Sequence, residues 1–501
     1  MQAARAASGL MAWTFVSLIS SPLSAQSAGP SATEPTEGLP PGLTLQESQE
    51  ERLRRLEEQV KRQQERIDEQ QRKIDGLEHP DSRKGFSLTA SFTDGFHLMD
   101  DEGNFDMHLG GRVILHYRDV FGLPHAFSNG PGTPPAFLAR TQPDTFYLNS
   151  VYLIAEGTVF KHWGYRVTAE VSSTPGGPNP RTETSFVEWK RYKELSIRAG
   201  SFKAPISPDT IGSPLFLDEI ERSILAQFVP NFEVGVMAYG NFWDGLLTYQ
   251  VAVTNGRSYL AGQGRARNDD DESKEVVGRW TVAPFVEDKH NILRRLRVGL
   301  AGTVASADDV AMQPNFSIAS TELAVTWLIP NTNNFLDGRR IRGAAELSWS
   351  YGPASFRMEG LYRSDEVTRP SAGVDERLIT KAWYAQAGIV LTGEEKLLDN
   401  RIRPAHPFDP ENGDLGAIEL VARVALASLE RDTLLHLATD LTGQTNRMGS
   451  VTIGMNWWPV QNIRVSLDGI CEQYYGGLVF QPGGSRKERL YGILARFQVD
   501  F

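Results

Sequence analysis

The sequence predicts an all-β chain, a transmembrane antiparallel β-barrel of about 16 strands preceded by an N-terminal α-helical coiled coil. Three observations predict it: the alternation of the last strand, a change of hydrophobic period near residue 85, and the absence of a long apolar run beyond the leader. In the C-terminal stretch ERLYGILARFQVDF, Tyr491, Ile493, Ala495, Phe497, Val499 and Phe501 fall on one side, with Gly492, Leu494, Arg496, Gln498 and Asp500 on the other. A strand with one apolar and one mostly polar face, ended by an aromatic, suits the lipid-facing wall of a closed barrel at its seam.

The N-terminus reads as an export signal. Arg5 is the only charged side chain in the first 33 residues, Leu10 to Ile19 is a short apolar run, and Pro22-Leu-Ser-Ala25 ends in a small residue. The run is too short for a permanent membrane helix, so residues 1–25 are expected to be a cleaved signal peptide. Residues 26–44, rich in Ser, Pro, Gly and Thr, follow as a linker.

Residues 45–78 change character. LQESQEERLRRLEEQVKRQQERIDEQQRKIDGLE holds no Pro and one Gly. Its heptads set Leu53, Val60, Ile67 and Ile74 at one seam position and Leu56, Gln63, Gln70 and Leu77 at the other. A lone helix with so narrow a seam is marginal in water. Self-association is therefore expected.

From Gly85 the period becomes two. In MHLGGRVILHYRD, Met107, Leu109, Val113, Leu115 and Tyr117 alternate with His108, Arg112, His116 and Arg118; in NIRVSLDGICEQYY, Ile463, Val465, Leu467 and Cys471 alternate with Arg464, Ser466, Asp468 and Glu472. Ile114 and Ile470 each break the pattern once. LTYQVAVTNG, RGAAELSWSYG, SFRMEGLYRS, KAWYAQAGIVL and SVTIGMNWWPV behave alike, at a length that suits a tilted membrane crossing better than a soluble sheet. Residues 85–501 therefore form the barrel domain, at about 26 residues per strand and connection. Trp349, Trp383, Trp457, Trp458, Tyr474, Tyr475 and Phe501 are expected in the aromatic girdles. On the polar faces, Arg112, Arg118, Arg166, Arg357, Arg363, Arg423, Arg464 and Arg496 are set against Glu170, Glu346, Glu359, Glu419, Asp468 and Glu472, facing the lumen.

Several function classes are excluded. The net charge of −11 argues against a nucleic-acid partner. Cys471, the single cysteine, allows no internal disulfide and reads as a small apolar residue of a strand. GxSxG, HExxH and GxxxxGK[ST] motifs are absent, so no enzyme is expected. His108 and His116 share a strand face but lie about 26 Å apart, too far to share a metal. Asn268-Asp-Asp-Asp-Glu272 lacks the spacing of a calcium hand and reads as a solvated loop. No cofactor or metal is expected.

Several stretches together resemble a known family, the O/P-type phosphate- and pyrophosphate-selective porins. They are GNFDMHLGGRVILHYRDVFG, VYLIAEGTVFKHWGYRVTAEV, RAGSFKAPISPDTIGSPLFLDEIERSI, VLTGEE, LGAIELVARV, GMNWWP and the terminal FQVDF. The resemblance implies a homotrimer of 16-stranded barrels in the bacterial outer membrane, with a third loop folded inward to narrow each pore. Phe501 resembles the terminal signal read by the barrel-insertion machinery. The implied partners are outer-membrane lipid and small hydrophilic solutes or anions.

The resemblance also marks a departure. Strongly phosphate-selective members carry an adjacent Arg pair where this chain has Asn149 and Ser150, and loop lysines at positions aligned with Thr210 and Leu215. Arg222 is retained, but beside Asp218, Glu219 and Glu221 its charge is expected to be shared in ion pairs. Binding a dianion in a pore needs several convergent donors, and the loss of an Arg pair removes two charges. The expected function is thus a water-filled channel for passive diffusion of small hydrophilic solutes or ions, of open selectivity. The alternatives are a phosphate-selective anion channel and a barrel that tethers the envelope through residues 45–78. The pore and constriction candidates are Arg112, Arg118, Arg166, Lys203, Asp218, Glu219, Glu221, Arg222, Arg357 and Arg464.

Overall fold

The structure, a computed structural model, describes residues 54, 57–70, 88–92, 95–121, 144–171, 181–256, 273–312, 318–480 and 485–501. The chain divides into two compact units, Met1–Gly85 and Phe86–Phe501. In the first, residues 57–70 are helical and solvent-exposed. The expected signal peptide (1–25), the linker (26–44), the rest of the coiled coil and the acidic loop Asn268–Glu272 lie outside the described residues.

The second unit is a closed antiparallel barrel. Its strands are β1 (Leu88–Phe92), β2 (Phe96–Asp100), β3 (Phe105–Phe121), β4 (Asp144–Val159), β5 (Trp163–Glu170), β6 (Arg181–Trp189), β7 (Ser196–Lys203), β8 (Phe232–Phe242), β9 (Leu247–Thr254) and β10 (Glu275–Val282). They continue with β11 (Arg297–Ala311), β12 (Ile318–Ala319), β13 (Thr326–Leu328), β14 (Phe335–Tyr351), β15 (Ala354–Arg369), β16 (Val374–Val390), β17 (Ala417–Leu429), β18 (Arg447–Val460), β19 (Ile463–Leu478) and β20 (Lys487–Asp500). Strands β3 to β11 and β14 to β20, 16 in all, pair in sequence order, and β20 closes on β3 from Asp500↔Arg112 to Tyr491↔Phe121. The remaining two of the 18 strands in this sheet, β1 and β2, form a hairpin on the free lower edge of β3. Among the described residues closure leaves no long unpaired edge, which a bilayer would penalise.

The seam is finished by the last residue. Phe501 donates its N–H to the Gly111 carbonyl (3.0 Å) and accepts from the Gly111 N–H (2.8 Å). A Cβ on Gly111 would stand 2.7 Å from the Phe501 ring and 3.0 Å from the Tyr152 carbonyl oxygen, so only glycine lets the ring lie there. Tyr491, Phe497 and Phe501 face outward while Leu494, Arg496, Gln498 and Asp500 are buried inside, as the alternation requires.

The interior is more filled than an open aqueous tube. Residues 204–231, between β7 and β8, fold into the lumen as three short helical turns, the first two begun by Pro208 and Pro214. The β11–β14 connection enters as well, carrying β12 and β13. Ile206, Ile220, Ile224, Leu225 and Phe228 of the first segment and Leu323, Trp327 and Leu328 of the second share one buried cluster. Each such side chain withdrawn from water stabilises the inward arrangement by about 1.5–3 kcal/mol. This explains one break in the alternation. Ile470 belongs to this cluster, and Ile114 is likewise wholly buried on the inner side of β3 beside Arg112 and His116. The aromatic girdle needs correction too: Trp458 and Tyr474 point inward and are buried, because neighbours such as Trp457 and Tyr475 must occupy opposite faces of a strand.

Candidate functional site

The inward loop divides the lumen unevenly. Against β16–β19 it is fastened by polar contacts, whereas along β3–β9 it leaves a cavity of about 440 Å³. Arg112, Asn149, Ser150, Arg166, Arg198, Lys203 and Arg222 line that cavity, with Glu170 and Glu183 as its carboxylates.

Lys203, at the end of β7, donates from Nζ to the carbonyl oxygens of Gly212 (2.7 Å) and Ile211 (3.3 Å). Arg222, on the returning limb, donates from Nη2 to the same Gly212 oxygen (2.9 Å). From the wall, Arg112 donates from Nε to Ser150 Oγ (2.8 Å) and lies 3.9 Å over the Tyr152 ring. All these acceptors are neutral. Two further wall arginines carry carboxylate partners: Arg166 with Glu156 (2.9 Å), and Arg198 with Glu188 (2.8 Å) while stacked 4.0 Å over Phe186. Arg198 was missed as a candidate, although in ELSIRAGSF it alternates with Leu195 and Ile197.

The structure overturns the expected pairing of Arg222. In Asp218-Glu219-Ile220-Glu221-Arg222 the irregular backbone sends successive side chains to different walls. Asp218 meets Lys396 (2.6 Å) and Gln386 Nε2 (2.8 Å), and Glu219 meets Arg423 (3.2 Å). Glu221 accepts from Tyr147 Oη (3.2 Å) and contacts His116 Nδ1 (3.2 Å). Only Arg222 turns back to Gly212 and the cavity. His116 is the neutral Nδ1–H tautomer, since its Nε2 accepts from Arg496 Nε (2.9 Å) and an arginine only donates. Burial by itself would raise Glu221, but the His116 hydrogen bond and the nearby Arg118 and Arg496 outweigh it and hold the carboxyl below the usual range. Burial likewise opposes ionisation of Asp218, and Lys396 and Arg357 hold its carboxyl below the usual range.

Of the ten candidates, Arg112, Arg166, Lys203 and Arg222 come together around the cavity. The other six serve the fastening of inward segments. Arg118 donates to the Glu322 carbonyl (2.9 Å) and to Tyr147 Oη (2.8 Å). Arg357 pairs with Asp399 (2.8 Å). Arg464 donates to the carbonyls of Leu217 (2.6 Å) and Asp218 (2.7 Å). Thr210 and Leu215, the positions aligned with family lysines, are buried and outside the cavity lining; Asn149 and Ser150 are part of it.

A closed barrel with a lipid-facing apolar wall, a charged interior and a loop folded into the lumen defines a porin, a channel of the bacterial outer membrane for passive diffusion of small hydrophilic solutes. The family model for phosphate-selective porins O and P matches residues 137–476, more than half of the chain, and the protein belongs to that family. Porin O of Pseudomonas aeruginosa is 20% identical over 403 residues, covering 76% of this chain and 86% of that protein. Among solved structures, the outer membrane channel DcaP of Acinetobacter baumannii is similar, with 11% identity, 81% of this chain and 100% of that chain covered, and a TM-score of 0.47. The trimer form of OmpT from Vibrio cholerae shares 12% identity over 78% of this chain and 98% of its own, with a TM-score of 0.43.

Proposed function

We propose that this porin prefers small anions and binds phosphate only weakly. The observation that carries the reading is the convergence of Lys203 and Arg222 on the Gly212 carbonyl, within a cavity that Arg112 faces. Two cations held by a carbonyl keep most of their charge for a passing anion, whereas one paired with a carboxylate does not. Asn149 and Ser150 in the lining mean that this wall lacks two of the donors a dianion would need to shed its water. The test is the reversal potential of the purified channel in a planar bilayer under a potassium chloride gradient, followed by addition of phosphate. Anion selectivity with little block of chloride current is expected. Cation selectivity would overturn the anionic reading, and strong block would restore phosphate selectivity.

The assembly is read as a homotrimer whose subunits associate also through residues 45–78, behind a signal peptide ending at Ala25. Val60 and Ile67, both seam residues, are exposed on the single helix, which supports burial against another copy. Analytical ultracentrifugation of the full chain and of a chain lacking residues 45–78 tests it. A smaller oligomer or weaker trimer without the segment is expected, and identical association would remove the role.

A further inference from the structure

We propose that the outward face of β16–β20, at the extracellular rim, binds a phosphorylated glycolipid of the outer leaflet through Lys381, Arg447 and Arg489. The turns give the orientation. β14 and β15 are joined by Gly352 and Pro353, and β18 and β19 by Gln461 and Asn462; in such barrels the short-turn end is periplasmic. Lys381, Arg447 and Arg489 are exposed and stand nine, thirteen and eleven positions up their strands from Val390, Val460 and Asp500 at that end. At about 3.4 Å per residue and a tilt near 40°, they are lifted by about 23–34 Å. An apolar band about 25 Å tall ends at their level, where the headgroups begin.

The wall beneath them is uncharged. Between the three cations and the periplasmic end, the outward positions of these five strands carry no Asp, Glu, Lys or Arg, and Trp383, Leu420, Ile453, Leu467 and Phe497 are exposed there. Height explains how cations are tolerated on this face, since a charge there is penalised in the hydrocarbon and little at the interface. Register then gathers them. Lys381 lies opposite Ser428, Ser428 opposite Arg447, and Gln473 opposite Arg489. With neighbouring strands about 4.8 Å apart, all three fall within about 20 Å along the wall. Their contacts leave the charges in place: Arg447 lies 4.4 Å over the Tyr475 ring, and Arg489 donates from Nε to Gln473 Oε1 (2.7 Å). Carboxylates of the same rim are occupied, Glu366 with Arg377 (3.3 Å) and Glu376 with His436 (2.6 Å). Among the described residues no ion pair engages Lys381, Arg447 or Arg489.

Three such cations above a lipid-facing wall fit an anion that is itself anchored in the membrane. A phosphorylated glycolipid meets both halves of the surface, with acyl chains along the apolar strands and phosphates at the cations. The two guanidiniums offer planar forks to phosphate oxygens, and Lys381 offers a point charge. The Ser428 hydroxyl, between Lys381 and Arg447 in the same row, adds a neutral donor. None of the three cations lines the lumenal cavity, so this surface is separate from the solute path.

The inference rests on the outer-membrane barrel and not on anion preference, so its test reads binding without current. The full chain in dodecyl maltoside micelles is titrated with fluorescent bisphosphorylated lipid A. Lys381→Gln/Arg447→Gln/Arg489→Gln is expected to weaken binding by about tenfold or more, while a matched periplasmic triple, Lys190→Gln/Arg191→Gln/Lys193→Gln, stays near wild type. Equal binding by wild type and the rim triple overturns the proposal, as does an equal loss in both triples, which would make the attraction one of net charge. Lipid A stripped of its phosphates is expected to bind as weakly as the rim triple does; undiminished binding removes the phosphate contact. Displacement of the lipid by an equal concentration of inorganic phosphate would make this a site for the free ion and overturn the lipid assignment. A rim triple that sediments as a smaller oligomer would assign the surface to a neighbouring copy and overturn it too. Should the rim triple fail to assemble, the three single variants are measured, each with a loss of about two- to fivefold expected and with no loss in any of them overturning the proposal. A wild-type channel without anion selectivity defeats the preceding proposal and leaves this one standing.

Discussion

Lys203 and Arg222, 19 positions apart, donate to one carbonyl oxygen, that of Gly212, at 2.7 and 2.9 Å. The loop that carries Arg222 closes on itself: Ser223 donates from its N–H (3.0 Å) and Oγ (2.8 Å) to Asp209, and Lys203 holds the first helical turn from the barrel wall. The same bonds that shape the loop present two cations to the cavity.

Removing either cation weakens that field. A unit charge about 8 Å from a passing ion is worth on the order of 1 kcal/mol once water screening is included, or about fivefold in relative anion permeability. Lys203→Ala and Arg222→Ala are each expected to shift the reversal potential toward the cation side by that amount. An unchanged potential in both would remove the cavity from the selectivity mechanism.

Arg423 on β17 ties two inward segments at once, meeting Glu219 of the first (3.2 Å) and Glu322 of the second (2.8 Å). Arg423→Ala leaves two buried carboxylates without their cation, a loss of about 3–5 kcal/mol for a broken buried pair. The variant is expected to unfold at lower temperature on heated gels and to show noisier single-channel current. A Lys substitution, unable to bridge both acids with a planar fork, is expected to fall between.

Acid should loosen the loop where Glu221 docks on β3 and β4. Its folded carboxyl lies below the ordinary value of 4.5. A depressed carboxyl contributes stability that is complete above the unfolded value and is lost as pH falls below about 4.5. Current fluctuations should therefore grow across that window in the wild type. In Glu221→Gln this part of the pH response should be absent; retention of the full response would place it elsewhere.

Gain of phosphate binding separates the two aligned regions. Asn149→Arg places a new donor in the cavity lining, and stronger phosphate block of chloride current is expected. Thr210→Lys and Leu215→Lys bury an ammonium outside the cavity, so lower thermal stability without added block is expected. Phosphate titration of the three variants decides it.

The terminal contact is also testable. Gly111→Ala would drive a methyl against the Phe501 ring, and Phe501→Ala would remove the ring itself. Both are expected to lower the yield of heat-modifiable barrel. If Phe501→Ala assembles normally, the ring is not the insertion signal.

The sequence by itself determined the barrel, its wall and its seam, because strand residues alternate between lipid and lumen whatever the rest of the chain does. That period was enough to put Arg112, Arg166, Arg423, Arg464 and Arg496 on the inner face, where all five are found. Only the tertiary structure decided which of them meet solute. Lys396 is 178 residues from Asp218, and Glu322 is 101 from Arg423, so no local pattern announces either pair. The loop defeated local reasoning for a different reason. Arg222 is a sequence neighbour of three acids but a spatial neighbour of Gly212, since an irregular backbone has no period from which side-chain direction can be read. Barrel closure places the walls, and the inward segments then choose their partners among charges that the fold has already brought within reach.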